Sequence, residues 1–580
     1  MRPSFAVGAS RAASVGLTAA AAFALTACGG SSLVLPQLSP AQPGQLQSCS
    51  DLASKAALPN TTISSATVVA AGALVVAGAA QVPEHCLVKG EMNRRTSSVD
   101  GKGYAIGFEM RLPTAWNGRY YYQANGGIDG SVVTATGPSS GGGPLSNALT
   151  MGFAVISSDA GHQPPAPFFG LDPQARADYG YAAVGSLTPM AKSLIKAAYG
   201  RGPDRSYIGG CSNGGRHALV AAARYGDQYD GFLAGAPGLH LPKAAVAQLW
   251  KVKQYASIAS GTVATGADAG QPDIRTALTA AEWSLLGNRI SAKCDALDGV
   301  ADGMVQDTAA CQAAFNVQND VATCSGARDG TCLTSAQKTV VARVFAGAVT
   351  PGGQAIYAPF PWDPGVSGSN YALWHYSMST ERDPGAVAFI FNTPPMAQAD
   401  FLATTGLKYA LGYDLNAGYQ NIFATDTSYK ESSWSFMTPP HEADLSVLRD
   451  RGAKVLAYHG VADPIFSASD TATWYQALDK ANNGDAADFA RLFMVPGMNH
   501  CSGGPSADQF DALTALVNWV EKGQTPDRIV ASARGPGANV VNAEVPADWA
   551  GRSRPLCPYP QVARYNGSGN TQDAASYSCK

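Results

Sequence analysis

The chain has 580 residues, with 40 Lys and Arg against 43 Asp and Glu, for a formal net charge of −3. That balance, with no block of like charge, excludes the electrostatic footprint of a nucleic-acid-binding protein. The length exceeds what one simple core fills, so it predicts a core carrying a large insertion.

Residues 1–28 carry Arg2 and Arg11, an apolar stretch to Ala24 and then Leu25-Thr26-Ala27-Cys28, the form of a secretory signal. The ending resembles a bacterial lipobox. Cys28 is then expected to carry lipid, as in an outer-membrane or periplasmic lipoprotein of a Gram-negative bacterium; an ordinary cleaved signal is the alternative. Residues 29–46, rich in Ser, Pro, Gly and Gln, predict a flexible tether. Ten cysteines remain after Cys28, an even number in an exported chain, which predicts disulfides without fixing their pairing. The apolar stretch Ala66 to Val82 is shorter than a membrane span and broken by Gly72 and Gly78, so buried strands are expected there.

Residues 47–238 predict the first part of an α/β core. Tyr104 to Leu112 and Arg119 to Gln123 alternate with Gly-Ser turns, and the second run leads into Asn125-Gly126-Gly127-Ile128-Asp129-Gly130. Arg205 to Leu219 reads as strand, sharp turn and helix, with Gly210-x-Ser212-x-Gly214 at the turn. Small residues are needed there because a strained turn lifts the serine hydroxyl clear of the sheet. In such a fold one oxyanion donor comes from the loop after an early strand and one from the residue after the nucleophile. These are assigned to Gly127, with Gly126 as the alternative, and to Asn213. A plain hairpin turn is the competing reading of the glycine loop. His162, after the buried strand Ala154 to Ser158, is a rival base, but it precedes the serine without an acid partner in spacing and reads as structural. His217, five residues into the elbow helix, reads as packed.

From about Leu239 to Pro440 the chain turns helix-like with long loops, where α/β-hydrolases place a lid. Residues 239–440 are therefore expected to form a lid domain, with Trp362, Trp374, Phe389, Phe391 and Trp434 as candidates to face an acyl group. Filling the lid's own core is the alternative for each. Asp295, Asp298, Asp302 and Asp307 lie in one Gly-containing stretch that suits a hard cation with oxygen ligands, although the spacing is not that of an EF-hand.

Residues 441–580 complete the core. Lys454 to Gly460 predicts a buried strand whose loop presents Asp463, and Leu492 to Val495 another whose loop presents His500. The order Ser212, Asp463, His500 is that of an α/β-hydrolase triad, with His500 as base and Asp463 orienting it. Cys211 precedes the serine and Cys501 follows the histidine, so a bond between them would tie the two loops together.

The Cys-Ser-x-Gly-Gly elbow with its His-Cys partner resembles the tannase and feruloyl esterase family. Pro496-Gly497-Met498-Asn499-His500-Cys501-Ser502-Gly503-Gly504-Pro505 is most similar to the mono(2-hydroxyethyl) terephthalate hydrolase branch, and the likeness runs from about Cys49 to the C-terminus. The resemblance implies an α/β-hydrolase acting on esters of aromatic acids: ferulate, gallate or a terephthalate monoester. With locality, it implies the pairs Cys49–Cys86, Cys211–Cys501, Cys294–Cys311, Cys324–Cys332 and Cys557–Cys579. It also implies a structural Ca2+ in the lid, held by Asp295, Asp298 and Asp302 with the carbonyls of Val300 and Met304. The partner expected is a small aromatic ester, and the chain is expected to be a monomer. The terephthalate branch holds a free carboxylate with a lid arginine. Here Gly385-Ala386-Val387-Ala388 stands before Phe391 and Arg382 reads as displaced, which favours a neutral phenolic ester. A serine peptidase, or a non-catalytic surface binder on the same scaffold, are the readings from other classes.

Overall fold

The computed structural model describes residues 35–56, 58–138 and 147–580. The signal, Cys28 and the first residues of the expected tether lie outside them. Nine strands form one sheet: β1 Thr61–Val69, β2 His85–Thr96, β3 Gly103–Pro113, β4 Arg119–Gln123, β5 Ala154–Ser158, β6 Arg205–Cys211, β7 Gly231–Gly235, β8 Lys454–Gly460 and β9 Ala490–Val495. Their spatial order is β9-β8-β7-β6-β4-β5-β3-β2-β1. β5, β4, β6, β7, β8 and β9 run parallel, and β1, β2 and β3 join antiparallel, β3 against β5.

Strands buried on both faces read as unbroken apolar runs, and every residue of β8 is buried. Helices α1 Ala183–Tyr199, α2 Asn213–Arg224 and α4 Ala468–Ala481 cover one face through Leu187, Leu219 and Trp474. Helix α5 Ala512–Lys522 covers the other through Leu513, Leu516 and Val520. This is an α/β-hydrolase sheet, with the carboxyl ends of β6, β8 and β9 pointing to one rim.

Between Gly235 and Lys454 the chain leaves the sheet. Helix α3 Leu241–Ala256 packs with Trp283, Phe345, Tyr371 and Phe436 in a separate apolar cluster, which also takes in Ile465 and Phe466 just after Asp463. His240, at the start of this excursion, lies 2.9 Å from Glu442 at its end and 2.8 Å from Asp470 on α4.

Two expectations are corrected. The stretch Ala66 to Val82 is not a set of buried strands. β1 ends at Val69 and is the edge of the sheet, with Val68 61% exposed because no described strand pairs beyond it, and Val75, in the turn that follows, is 82% exposed. Over residues 35–46 the expected tether is laid on the core. Gly44–Gln45 pairs with Ala115–Trp116, and Ala41 N–H donates to Glu521 at 2.9 Å. Backbone hydrogen bonding and a buried carboxylate outweigh the tether-like composition there.

All five expected disulfides are present: Cys49–Cys86, Cys211–Cys501, Cys294–Cys311, Cys324–Cys332 and Cys557–Cys579. Such a set belongs to an exported protein. Among the described residues no helix is long and apolar enough to cross a membrane.

Candidate active site

Ser212 sits between β6 and α2 with φ 67° and ψ −128°, in the left-handed half of the backbone map. The glycines around it have a specific purpose. A methyl at Gly210 or Gly214 would collide with the Ala124 carbonyl oxygen of β4's exit, and one at Gly215 with that of Gly235 on β7. The elbow is thus pressed between the two neighbouring strands, which only glycine permits.

His500 Nε2 lies 2.8 Å from Ser212 Oγ, and His500 Nδ1 lies 2.6 Å from Asp463 Oδ2. Asp463 is buried, and its Oδ1 accepts the N–H groups of Ile465 and Phe466, both at 2.9 Å. Burial opposes ionisation of this carboxyl. The charge of His500 and hydrogen bonds from His459 and His500 outweigh it and hold the group well below the ordinary carboxylate range. An ionised Asp463 leaves Nδ1–H as donor and Nε2 free to accept the serine proton. Trp374 and Phe466 stand edge-on to the His500 ring, at 4.9 and 5.4 Å.

The loop after β4 is pinned to the elbow helix. Asp129 Oδ2 accepts from Asn213 Nδ2 at 2.9 Å and lies 3.0 Å from His217 Nε2, while Arg216 Nε donates to Asn213 Oδ1 at 2.6 Å. Burial pushes the Asp129 carboxyl up to about 7. Tyr179 donates to the Gly127 carbonyl at 3.2 Å, and His162 Nε2 lies 2.8 Å from the Ile128 carbonyl. His162 is stacked on Phe169, and burial pushes its imidazole down to about 4. A neutral, enclosed ring there supports the glycine loop. His217 is likewise enclosed, as read from its position.

Ser212, Asn213 and Gly127 line one cleft with Ile128, Tyr179, Leu241, Trp374, Arg382, Asp383, Phe391 and Phe466. Of the aromatic candidates, Trp374 and Phe391 reach it. Trp362 stacks on Phe345 at 4.0 Å inside the insertion, Phe389 packs edge-on to Phe168 of the core and to Phe401, and the half-buried Trp434 stacks on His240, so these three pack elsewhere than in the cleft. Arg382 is on the wall of the cleft, not displaced from it. The free space there is about 30 Å3, so the cleft is narrow. Tyr179, Leu241 and Asp383 carried no signal in sequence: Tyr179 reaches the cleft through its contact with the Gly127 loop, and Leu241 and Asp383 through packing of the insertion on the core.

In the acidic stretch of the insertion, Asp295 accepts the N–H of Gly303 at 2.8 and 2.9 Å, and Asp298 that of Gln306 at 2.9 Å. Burial, with the charge of Asp302, pushes both carboxyls up, Asp298 to about 7. Asp302 is turned to Arg554 and, at 2.8 Å, to the Tyr577 hydroxyl. Among the described residues no group of three or more His, Cys, Asp or Glu side chains is gathered as a ligand set. The donor chemistry of Asp295 and Asp298, two crowded carboxylates in a tight loop, fits a hard cation.

Sheet, elbow and cleft together define a hydrolase of the α/β-hydrolase class, and likeness to named esterases makes it a carboxylic ester hydrolase. The sequence pattern described as tannase and feruloyl esterase matches residues 86–580, and the chain belongs to that family. It is 40% identical to a mono(2-hydroxyethyl) terephthalate hydrolase of Piscinibacter sakaiensis, over 87% of this chain and 86% of that one. It is 28% identical to feruloyl esterase B of Aspergillus niger, over 94% and 98%. Among solved structures, feruloyl esterase B from Aspergillus oryzae superposes with a TM-score of 0.70 at 24% identity, covering 92% of this chain and 99% of that one.

Proposed function

We propose that this protein hydrolyses esters of aromatic carboxylic acids through an acyl-enzyme on Ser212. One observation carries the reading: Ser212, in a cleft walled by Trp374, Phe391 and Phe466, heads a hydrogen-bonded line to His500 and Asp463. Ser212 Oγ attacks the ester carbonyl as its proton passes to His500 Nε2, and Asp463 stabilises the imidazolium. The N–H groups of Gly127 and Asn213 receive the developing oxyanion. His500 returns the proton to the departing alcohol, then activates water to release the acid.

The acyl group is of the feruloyl or galloyl type. The terephthalate monoester is the second reading, favoured by Arg382 on the cleft wall and by the 40% identical relative. The test is a panel of methyl ferulate, methyl gallate, mono(2-hydroxyethyl) terephthalate and a peptide anilide, with Ser212→Ala as control. Turnover of the anilide alone would mean a peptidase. No turnover, with no fluorophosphonate labelling of Ser212, would mean a binding protein.

The same reading extends to a structural Ca2+ and to a lipid anchor. Asp295 and Asp298 with the Val300 and Met304 carbonyls would hold the ion and brace the loop between Cys294 and Cys311, and Asp302 would join them by leaving Arg554 and Tyr577. Fatty-acid labelling that Cys28→Ser abolishes would test the anchor.

A further inference from the structure

Asp383 is an anomaly in the cleft. Its side chain is only 4% exposed. Oδ1 takes both Nε and Nη2 of Arg382, at 3.0 and 2.6 Å, while Oδ2 is buried and meets no donor among the described residues. A buried carboxylate oxygen without a partner is costly and rare, so it calls for a reason. The Arg382 guanidinium lies over the Trp374 ring at 4.6 Å, and Trp374 in turn faces His500. The pair therefore stands where the acyl group of an ester on Ser212 would extend. Burial raises the Asp383 carboxyl, and the charges of Arg382 and the buried Lys251 oppose that rise and favour its ionised form.

We propose that Asp383 determines acyl specificity: Oδ2 accepts a hydrogen bond from a phenolic hydroxyl of the acyl ring, and Oδ1 keeps Arg382 from receiving a free carboxylate. This rests on the ester-hydrolase reading and adds the residue that selects the acyl group. A phenol gives Oδ2 the donor it lacks. A second carboxylate meets a like charge at short range and an arginine already engaged, and both effects disfavour it. Replacing Asp383 by Asn removes the charge, keeps the shape and releases the guanidinium for bidentate binding.

The experiment measures kcat/KM on methyl ferulate, its 4-O-methyl ether and mono(2-hydroxyethyl) terephthalate, for wild type, Asp383→Asn and Asp383→Asn/Arg382→Gln. Wild type is expected to prefer the phenol over its ether by about tenfold or more, as for a hydrogen bond to a charged group. Asp383→Asn should shrink that preference and raise terephthalate-monoester turnover about tenfold, and the double variant should lose the gain. Equal changes on all three esters would overturn the proposal while leaving ester hydrolysis intact. Failure of wild type on every ester would instead remove the underlying reading. If the variants do not fold, inhibition of wild type by the free acids decides it. Ferulate binding more tightly than its methyl ether and than terephthalate supports the role, and indifference among them overturns it.

Discussion

Cys211 and Cys501 are bonded to each other, one residue before Ser212 and one residue after His500, so a single disulfide spans the two side chains that meet at 2.8 Å. The loop it closes has a sequence separation of 290 residues, for which chain entropy gives about 5–6 kcal/mol as an upper figure. Cys211→Ala/Cys501→Ala is expected to lower stability by about 2–5 kcal/mol and to lower kcat more than it raises KM, because register between nucleophile and base is lost. Urea unfolding and steady-state kinetics measure both. An unchanged kcat would reduce the bond to a stability element.

Asp463→Asn is expected to lower kcat by roughly 10^4-fold with little change in KM, since Asn favours the wrong His500 tautomer. Steady-state kinetics on the best ester of the panel checks it. A loss below about tenfold would remove Asp463 from the triad.

His240 joins the start of the insertion to Glu442 and Asp470. Although burial opposes its charge, those two carboxylates raise the imidazole to about 9 from an ordinary 6.5. A raised folded value stabilises the protein fully below about pH 6.5, and the contribution disappears as pH rises through about 9. The shift corresponds to about 3 kcal/mol. Denaturant midpoints of wild type should fall toward those of His240→Gln between pH 6.5 and 10; a constant gap would contradict the linkage.

Chelation tests the calcium reading. Without a cation, the raised carboxyls of Asp295 and Asp298 make stability fall as pH climbs from the ordinary carboxylate range to about 7. Ca2+ should abolish that fall and raise Tm, and Asp298→Asn should weaken the response. A Tm indifferent to chelator at pH 7 would exclude the ion.

The elbow was legible because its demands are local. Gly210, Gly214 and Gly215 each stand where backbone from β4 or β7 leaves no room for a Cβ, and such a requirement is written directly into residue type. Asp463 and His500 were legible from their strand-to-loop positions and their order after Ser212. The cysteine pairs followed from locality and family likeness, and all five are bonded as expected.

What the sequence by itself determined is therefore the class of the sheet, the elbow and the side chains that converge on it. Only the tertiary structure decided which faces are covered and what the cleft touches. Val68 is as apolar as any core valine, yet among the described residues no strand pairs beyond the sheet edge on which it stands. Trp362 and Trp374 look equivalent in the chain, but one stacks on Phe345 and the other faces His500. The placing of Arg382 and Asp383 beside Ser212 depends on how the insertion seats on the core. Burial and cross-element contact are properties of the packed whole, and no local pattern of residues encodes them.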